Sequence, residues 1–209
     1  MRLTVFIMLA IMLMTAPLAA ADANPTAAIQ AVVEPVLNVL KDPELAAEEL
    51  KAERRKKIWA LTSGMFAFDL LAKRAAGRYH WQNSFREDQR RQFTDLFGEF
   101  LGQTYLSRLD GEFSDLAISY KGQEILSKGR RAKVKTVVKM DAVETPMDYS
   151  MIIRDGQWKV YDIFVEGVSL AQNYQSQFRS LLENKPAAEV IERLKKKIEK
   201  QKKAARKAD

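Results

Sequence analysis

The sequence predicts an α+β fold in which about four antiparallel strands form a curved sheet wrapped by helices, with a helical N-terminal half and a C-terminal helix. Between Asp115 and Phe164, apolar and polar side chains alternate with the period of two that half-buried strands show. Asp155-Gly156 is a two-residue hairpin signal, since a type I′ turn needs positive φ at both positions and Gly adopts it without strain. Residues 84–108 instead follow the helical repeat, which places helices before the sheet.

The N-terminal half contains three predicted helices before the long one. The first two cover residues 26–40 and 44–60 and separate around Asp42-Pro43, since proline cannot continue a preceding helix. The third covers residues 65–76 and stops at Gly77, a residue type that favours the left-handed position after a helix. One apolar stripe lies along the first helix and comprises Ile29, Val32, Val33, Val36, Leu37 and Leu40.

The fourth predicted helix, over residues 84–108, begins with a capping box. In this motif the side chains of Ser84 and Glu87 satisfy free backbone amides at the start of the helix. The apolar residues that follow recur at helical spacing and should form a wide, buried aromatic face. They are Phe93, Leu96, Phe97, Phe100, Leu101 and Tyr105.

The strand region begins with a hairpin. Leu116, Ile118 and Tyr120 alternate with small or polar residues, and a turn over 127–130 leads into a second alternating segment. In that segment lysines at 133, 135 and 139 occupy the wet face. The opposite face carries Ala132, Val134, Thr136, Val138 and Met140.

Counting outward from Asp155-Gly156 gives the register of the last hairpin. The predicted pairs are Ile153 with Trp158, Met151 with Val160, Tyr149 with Asp162 and Met147 with Phe164. This register makes one face apolar, with Asp162 set into it. The strand should end at Gly167, and Ser169 should cap a helix in which Leu170, Tyr174 and Phe178 recur at helical spacing.

Residues 1–21 have the organisation of a secretory signal peptide. Arg2 is a short basic start, residues 3–14 are apolar, and Ala19-Ala20-Ala21 provides a cleavage site. The apolar run is short for a bilayer-spanning helix, so cleavage after Ala21 is expected, with an uncleaved anchor as the alternative. The chain has no cysteine, which excludes disulfides, thiolate metal sites and lipoprotein-type lipidation.

Charge divides the remainder into two parts. Residues 22–184 hold 23 Lys plus Arg against 23 Asp plus Glu, whereas residues 185–209 hold 10 against 4. We therefore predict an α+β domain over 22–184 and a basic C-terminal helix or tail over 185–209. A frayed, solvated helix is expected there, and transient contact with an anionic membrane or a partner is the alternative, at about 1 kcal/mol per basic side chain. Nucleic acid is disfavoured, because no base-reading module accompanies the lysines.

Few residues suggest catalysis. His80 is the only histidine, so His-rich metal sites are excluded, and the sequence has no phosphate-binding loop or nucleophile-elbow motif. Asp162 has three interpretations: a structural hydrogen-bond anchor, a polar group at the mouth of a pocket, or the acid/base of an enzyme with an NTF2-like, cone-shaped sheet. In the last case Asp162 and Tyr149 would act on a hydrophobic small molecule, as in ketosteroid isomerase.

The positive signal is a surplus of apolar residues on the sheet and the long helix that should face one interior. Such residues ordinarily fill a core, but aromatic residues and methionines also line adaptable lipid cavities. The candidate lipid-binding residues on the helix are Phe93, Phe97, Leu101 and Tyr105. Those on the strands are Val138, Met140, Met147, Tyr149, Met151, Ile153, Trp158, Val160 and Phe164.

Two segments of the chain resemble the MlaC family of periplasmic lipid-binding proteins, also called toluene-tolerance auxiliary components. The first segment contains Phe68-Asp69, Ala76-Gly77, Trp81, Phe93, Phe97, Leu101 and Tyr105. The second contains Gly156, Trp158-Lys159, Tyr161-Asp162, Val165, Glu166-Gly167-Val168-Ser169-Leu170, Asn173-Tyr174 and Gln177-Phe178. The likeness covers residues 28–183, and it departs at Gln175, where the family commonly has Arg.

The resemblance implies a soluble, non-enzymatic carrier without a cofactor, which would hold the acyl chains of a glycerophospholipid between the helix over 84–108 and the sheet. It further implies shuttling between an outer-membrane lipoprotein complex and an inner-membrane ABC transporter with an MCE-domain ring, which maintains outer-membrane lipid asymmetry. An exported adaptor, whose basic tail binds a membrane or a partner, is the remaining hypothesis.

Overall fold

A computed structural model describes residues 24–111 and 113–208 of the chain. The predicted signal peptide and its cleavage site lie outside these residues. In chain order the helices are α1 (Pro25–Lys41), α2 (Lys51–Thr62), α3 (Phe68–Ala76), α4 (Arg78–Asn83), α5 (Glu87–Leu106), α6 (Leu170–Asn184) and α7 (Ala187–Ala208). The strands are β1 (Ala117–Leu126), β2 (Arg131–Met140), β3 (Val143–Arg154), β4 (Gln157–Val165) and β5 (Val168–Ser169).

The strands form one open, curved antiparallel sheet in the order β1-β2-β3-β4-β5, which confirms the predicted α+β class. Four strands are long and the fifth has two residues. The predicted type I′ turn is present, with positive φ at Asp155 (49°) and Gly156 (73°). Gly167 adopts a φ of 80° in the turn that precedes β5.

Two predicted helix starts have different outcomes. At α6 the prediction is confirmed, because Ser169 Oγ accepts a hydrogen bond from the Gln172 amide at 3.1 Å. At α5 the predicted capping box of Ser84 and Glu87 is wrong. The short helix α4 extends almost to Ser84, whose hydroxyl lies 3.0 Å from Nδ1 of His80, and the side chain of Gln89 instead accepts from the Arg86 amide at 3.0 Å.

The register of the β3–β4 hairpin is as predicted only near the turn. Ile153 pairs with Trp158 and Met151 pairs with Val160. Tyr161 is then an extra residue on β4, so that Asp162 pairs with Ser150 and Phe164 with Asp148. The predicted Tyr149–Asp162 and Met147–Phe164 pairs are therefore wrong, because a bulge of one residue transfers every later side chain to the other face.

The sheet has an inner face and an outer face. The inner face packs on α1 through a sheet core that contains Ile29, Val134, Tyr149, Met151 and Val160. The outer side of β4 receives α3 and α6. A separate helical core lies among α3, α5, α6 and α7, and its buried residues include Leu71, Phe93, Phe97, Tyr174, Phe178 and Ile191.

Helix α7 is part of the helical core, so the expected frayed, solvated terminal helix is wrong. Its residues Val190, Ile191, Leu194 and Ile198 are each at most 5 % exposed. Gln201 donates to Thr104 Oγ1 at 2.8 Å and Lys202 contacts Glu99 at 2.6 Å, which fixes α7 along α5. Lys196, Lys200 and Lys203 project from the opposite, exposed side of the helix.

This packing makes the stability of the protein sensitive to the apolar stripe of α7. Leu194→Ala should lower the free energy of unfolding by about 2–5 kcal/mol, because it removes a buried side chain and leaves a cavity. Lys196→Ala, on the exposed side of the same helix, should change it by less than about 0.5 kcal/mol. Urea denaturation of both variants tests the pair, and equal midpoints would show that α7 is detached in solution.

Candidate functional site

An apolar cavity of about 650 Å³ lies between α1 and the inner face of the sheet. One wall is the α1 stripe, and the other is formed by inner-face side chains of β1 to β4 with the segments before α3 and after α5. The lining comprises Ile29, Val32, Val33, Val36, Leu37, Leu40, Thr62, Met65, Phe66, Arg108, Leu109, Phe113, Leu116, Ile118, Val138, Met140, Asp141, Val143, Thr145, Met147, Tyr149 and Val160. The volume falls within the roughly 300–1,000 Å³ of sites that bury small ligands.

The edge of the cavity is marked by charge and by exposed apolar side chains. Among the described residues that line it, Arg108 and Asp141 are the charged ones. Met140 and Val143, which flank the β2–β3 turn, are 36 % and 64 % exposed although both are large and apolar. The mouth therefore lies at this turn and at the segment that follows α5, where water reaches the apolar lining.

Arg108 is held beside the mouth by an aromatic contact. Its guanidinium carbon lies 5.4 Å from the centre of the Tyr105 ring, within cation–π range. No acidic side chain pairs with it in the part of the chain that the structure describes. A cation in this position is available to an anionic group that reaches the mouth.

Tyr149 is the most deeply buried ionisable group of the lining. Its hydroxyl donates to the Met147 sulfur at 3.1 Å, and burial raises the pKa of Tyr149 to about 12. The nearby Tyr120 hydroxyl is buried and has no hydrogen-bond partner among residues 24–111 and 113–208, and burial also raises the pKa of Tyr120. Both phenols therefore stay neutral at physiological pH, and the Tyr149 hydroxyl acts as a hydrogen-bond donor.

Some of the predicted lipid-binding strand residues line the cavity and others do not. Val138, Met140, Met147, Tyr149 and Val160 lie in its wall. Met151, Ile153 and Trp158 belong to the same sheet core but pack beyond the cavity. Phe164 is on the outer face because of the bulge at Tyr161, and the Lys133 ammonium lies 5.0 Å from its ring centre.

The predicted residues of the long helix lie elsewhere, so the expectation of one common interior is wrong. Phe93, Phe97 and Leu101 are buried in the helical core, where the Phe93 and Phe97 rings contact Phe178 at 5.0 and 5.6 Å between centres. Tyr105 is 37 % exposed and is not part of the cavity lining. α6 and α7 cover the aromatic face of α5, which leaves α1 to face the sheet.

The wall formed by α1 was missed as a site, although its stripe is visible in the sequence. Val32, Val33, Val36 and Leu37 are only partly buried in the folded chain. An apolar stripe that remains partly accessible against a sheet indicates unfilled space between them. The sequence shows the stripe, but only the structure shows that its partner surface does not close on it.

Asp162 is a structural anchor and is not at the mouth of the cavity. It is fully buried, and its Oδ2 accepts from Ser169 Oγ at 2.7 Å and lies 3.0 Å from the Arg74 guanidinium. Its Oδ1 accepts from the Ala171 amide at 3.1 Å, so the carboxylate fixes the start of α6 against β4. The predicted catalytic neighbour Tyr149 pairs with Ile163 on the inner face, on the other side of the sheet.

The fold and the cavity can now be set beside known proteins. The family model described as MlaC protein matches residues 30–196. The chain belongs to the MlaC family. No curated protein sequence gives a significant match.

Among solved structures, this MlaC-family chain is similar to a phospholipid-binding protein from Ralstonia solanacearum determined in complex with a phospholipid. The TM-score is 0.73 at 22 % identity, and the match covers 86 % of this chain and 99 % of that one. The likeness establishes that the two share a fold. Within residues 24–111 and 113–208, no helix of the MlaC-family chain combines the length and apolarity needed to cross a bilayer, and no cluster of His, Asp and Glu could hold a metal.

Proposed function

We propose that this protein is a periplasmic carrier that binds a glycerophospholipid by its acyl chains in the cavity between α1 and the sheet. The observation that carries the proposal is an apolar cavity of about 650 Å³ in which Arg108 and Asp141 are the charged lining residues among those the structure describes. Membership of the MlaC family and the phospholipid bound by the solved relative support it.

The energetic need for such a cavity is large. At about 0.8 kcal/mol per CH₂, exposing two acyl chains of roughly 16 carbons to water would cost on the order of 25 kcal/mol. A carrier must replace the bilayer with an environment that makes no demand for hydrogen bonds. The valine, leucine and methionine side chains of α1 and the inner sheet face meet that requirement.

The head group lies at the mouth in this proposal, where water solvates its charge. Arg108 is placed to contact the phosphate, because it is charged, unpaired within the described chain and adjacent to the cavity. The buried phenol of Tyr149 can exchange its bond to the Met147 sulfur, a weak acceptor, for one to an ester carbonyl that enters the apolar region. Acyl chains would therefore give affinity, and these polar groups would set the orientation of the lipid.

Arg108→Gln should weaken retention of anionic and zwitterionic phospholipids about threefold to tenfold without emptying the cavity, since one charge-assisted contact is lost while the apolar lining remains. Dissociation of a fluorescent phospholipid into excess acceptor vesicles measures the effect. Arg91→Gln, on the exposed side of α5, is the matched control. Identical dissociation rates for the two variants would show that Arg108 does not contact the lipid.

The proposal also places the carrier in the Mla pathway. It would shuttle lipid between an outer-membrane lipoprotein complex and an inner-membrane ABC transporter with an MCE-domain ring, after export through the signal peptide predicted over residues 1–21. The exposed Lys196, Lys200 and Lys203 support transient contact with an anionic membrane surface during these exchanges. No nucleic acid and no cofactor is required.

Transfer between membranes tests the shuttle directly. Donor vesicles that contain a fluorescent phospholipid are separated from acceptor vesicles by a dialysis membrane that passes the protein. The proposal predicts transfer in proportion to carrier concentration. The shuttle is wrong if the protein binds lipid but transfer is no faster than without protein. The protein would then bind lipid without exchanging it.

A further inference from the structure

A second concavity, of about 540 Å³, lies on the outer side of the sheet and away from the apolar cavity. Arg131 and Ile152, which contribute to it, pair across β2 and β3 next to the inner-facing Ala132–Met151 pair, so alternation places them on the outer face. The lining comprises Leu70, Lys73 and Arg74 of α3, Arg78 and Gln82 of α4, Arg131, Ile152, Tyr161, and Ala171, Gln172 and Gln175 of α6.

The charge of this concavity is one-sided. Lys73, Arg74, Arg78 and Arg131 are four cations, and no acidic residue of the described chain lines it. Arg74 has a carboxylate partner, Asp162, which is fully buried behind the wall. The other three have no acidic partner within residues 24–111 and 113–208.

Two of the arginines lie against one aromatic ring. The guanidinium carbons of Arg74 and Arg131 lie 5.6 and 5.7 Å from the centre of the Tyr161 ring. Because both guanidinium groups contact the same ring, the two positive charges lie close together and repel each other. Cation–π contact with Tyr161, the bulge residue of β4, offsets part of that repulsion.

Neutral hydrogen-bonding groups complete the wall. Gln82, Gln172 and Gln175 also line it, and their side chains carry amide groups. The start of α6 adds no free amide at Ala171 or Gln172, because the Ala171 amide donates to Asp162 and the Gln172 amide donates to Ser169. Recognition at this surface therefore rests on side chains and not on a helix terminus.

We propose that this basic concavity is a binding site for a phosphate-bearing ligand, independent of the lipid cavity. Guanidinium groups bind phosphate oxygens through paired hydrogen bonds, and a phosphate ester carries enough charge to engage several cations at once. The concavity has the size of a small-ligand site and is walled by three helices and the sheet. Such a recess suits a compact phosphate group better than it suits the broad surface of an acidic protein.

The adjoining surface defines the limit of the site. A neighbouring hollow shares Arg78 and Gln175 with the basic concavity, but it also contains Arg179 and Glu183, one turn apart on α6. Its mixed charge gives no comparable preference for an anion. The proposed site is therefore confined to the space between Lys73, Arg78 and Arg131.

The test removes three charges while the Arg74–Asp162 pair is kept, because Asp162 anchors α6. The variant Lys73→Gln/Arg78→Gln/Arg131→Gln is compared with Lys121→Gln/Lys128→Gln/Lys139→Gln, which removes the same charge from exposed positions on β1, the β1–β2 turn and β2. Titration calorimetry with inorganic pyrophosphate should show at least about tenfold weaker binding for the first triple variant and less than about twofold for the second. Uptake of phospholipid by the inner cavity should be unchanged in both.

Cosedimentation with vesicles distinguishes the sources of the phosphate. Loss of binding to phosphatidylglycerol vesicles in the first triple variant alone would support the site and assign it to lipid head groups at a membrane. Loss of pyrophosphate binding in the first triple variant, with vesicle binding unchanged, would support it for soluble phosphate compounds, because the α7 lysines still contact the membrane. The proposal is overturned if both triple variants weaken binding equally, if neither probe binds the unmodified protein, or if poly-glutamate binds in preference to pyrophosphate.

Discussion

Replacing Val33 and Val36 together with tryptophan should reduce co-purifying phospholipid at least about tenfold. Both side chains belong to the cavity wall and are only partly buried, so the added rings extend into the cavity instead of forcing apart a closed core. The two larger side chains would fill part of a cavity of about 650 Å³ and obstruct its α1 side. Extraction of lipid and quantification per mole of protein by mass spectrometry measures the loss.

The control for this experiment lies on the same helix. Val39 is partly buried on α1 but is not part of the cavity lining, so Val39→Trp tests the effect of a bulky substitution outside the site. It should leave the lipid content within about twofold of the unmodified protein. The acyl chains must bind elsewhere if the double variant is folded, as judged by circular dichroism, and still carries as much lipid as the unmodified protein.

Asp162→Ala should produce the largest loss of stability among single polar substitutions. The fully buried carboxylate accepts from Ser169 Oγ and from the Ala171 amide, and each hydrogen bond to a charged group contributes about 1.5–3 kcal/mol. Loss of both should lower the free energy of unfolding by roughly 3–6 kcal/mol. The ion pair between Asp162 and Arg74 adds little to this loss of stability, because the Arg74 side chain is partly exposed to solvent. Chemical denaturation measures the change.

Asp148→Ala is the matched control on the same sheet. Asp148 pairs with Lys133 at 3.1 Å but is partly exposed, so its removal should cost less than about 1 kcal/mol. Asp162→Asn, which keeps an acceptor for one donor, should retain phospholipid as long as it folds. Loss of a chemical activity in that variant, with ligand binding intact, would instead favour the enzyme hypothesis.

Local signals in the sequence were sufficient for most of the secondary structure. The Asp155-Gly156 turn, the Ser169 cap and the alternation of β2 each depend on residues close together in the chain, and each is present. The bulge at Tyr161 occurs on the strand that contacts α3 and α6, and no local pattern in the sequence shows it. That one residue moved Asp162 and Phe164 to the opposite face.

The candidate site was harder to predict than the fold, because two helices offer apolar faces and only one can lie against the inner sheet. The aromatic face of α5 is the stronger periodic signal, yet α6 and α7 bury it. Lysines on α7 suggested a solvated tail, although Ile191, Leu194 and Ile198 are enough to dock it. Which apolar faces meet is a long-range property, and a single sequence does not encode it in local spacing.

In the proposed carrier, the space between α1 and the sheet holds the hydrocarbon of another molecule. Native mass spectrometry of the protein, purified under mild conditions and then mixed with phospholipid, shows whether it does. We predict adducts with the mass of one or more glycerophospholipids, which the double tryptophan variant loses and the Val39→Trp variant keeps. The cavity would not be a lipid site if the purified protein is free of lipid and remains free of it with phospholipid in excess.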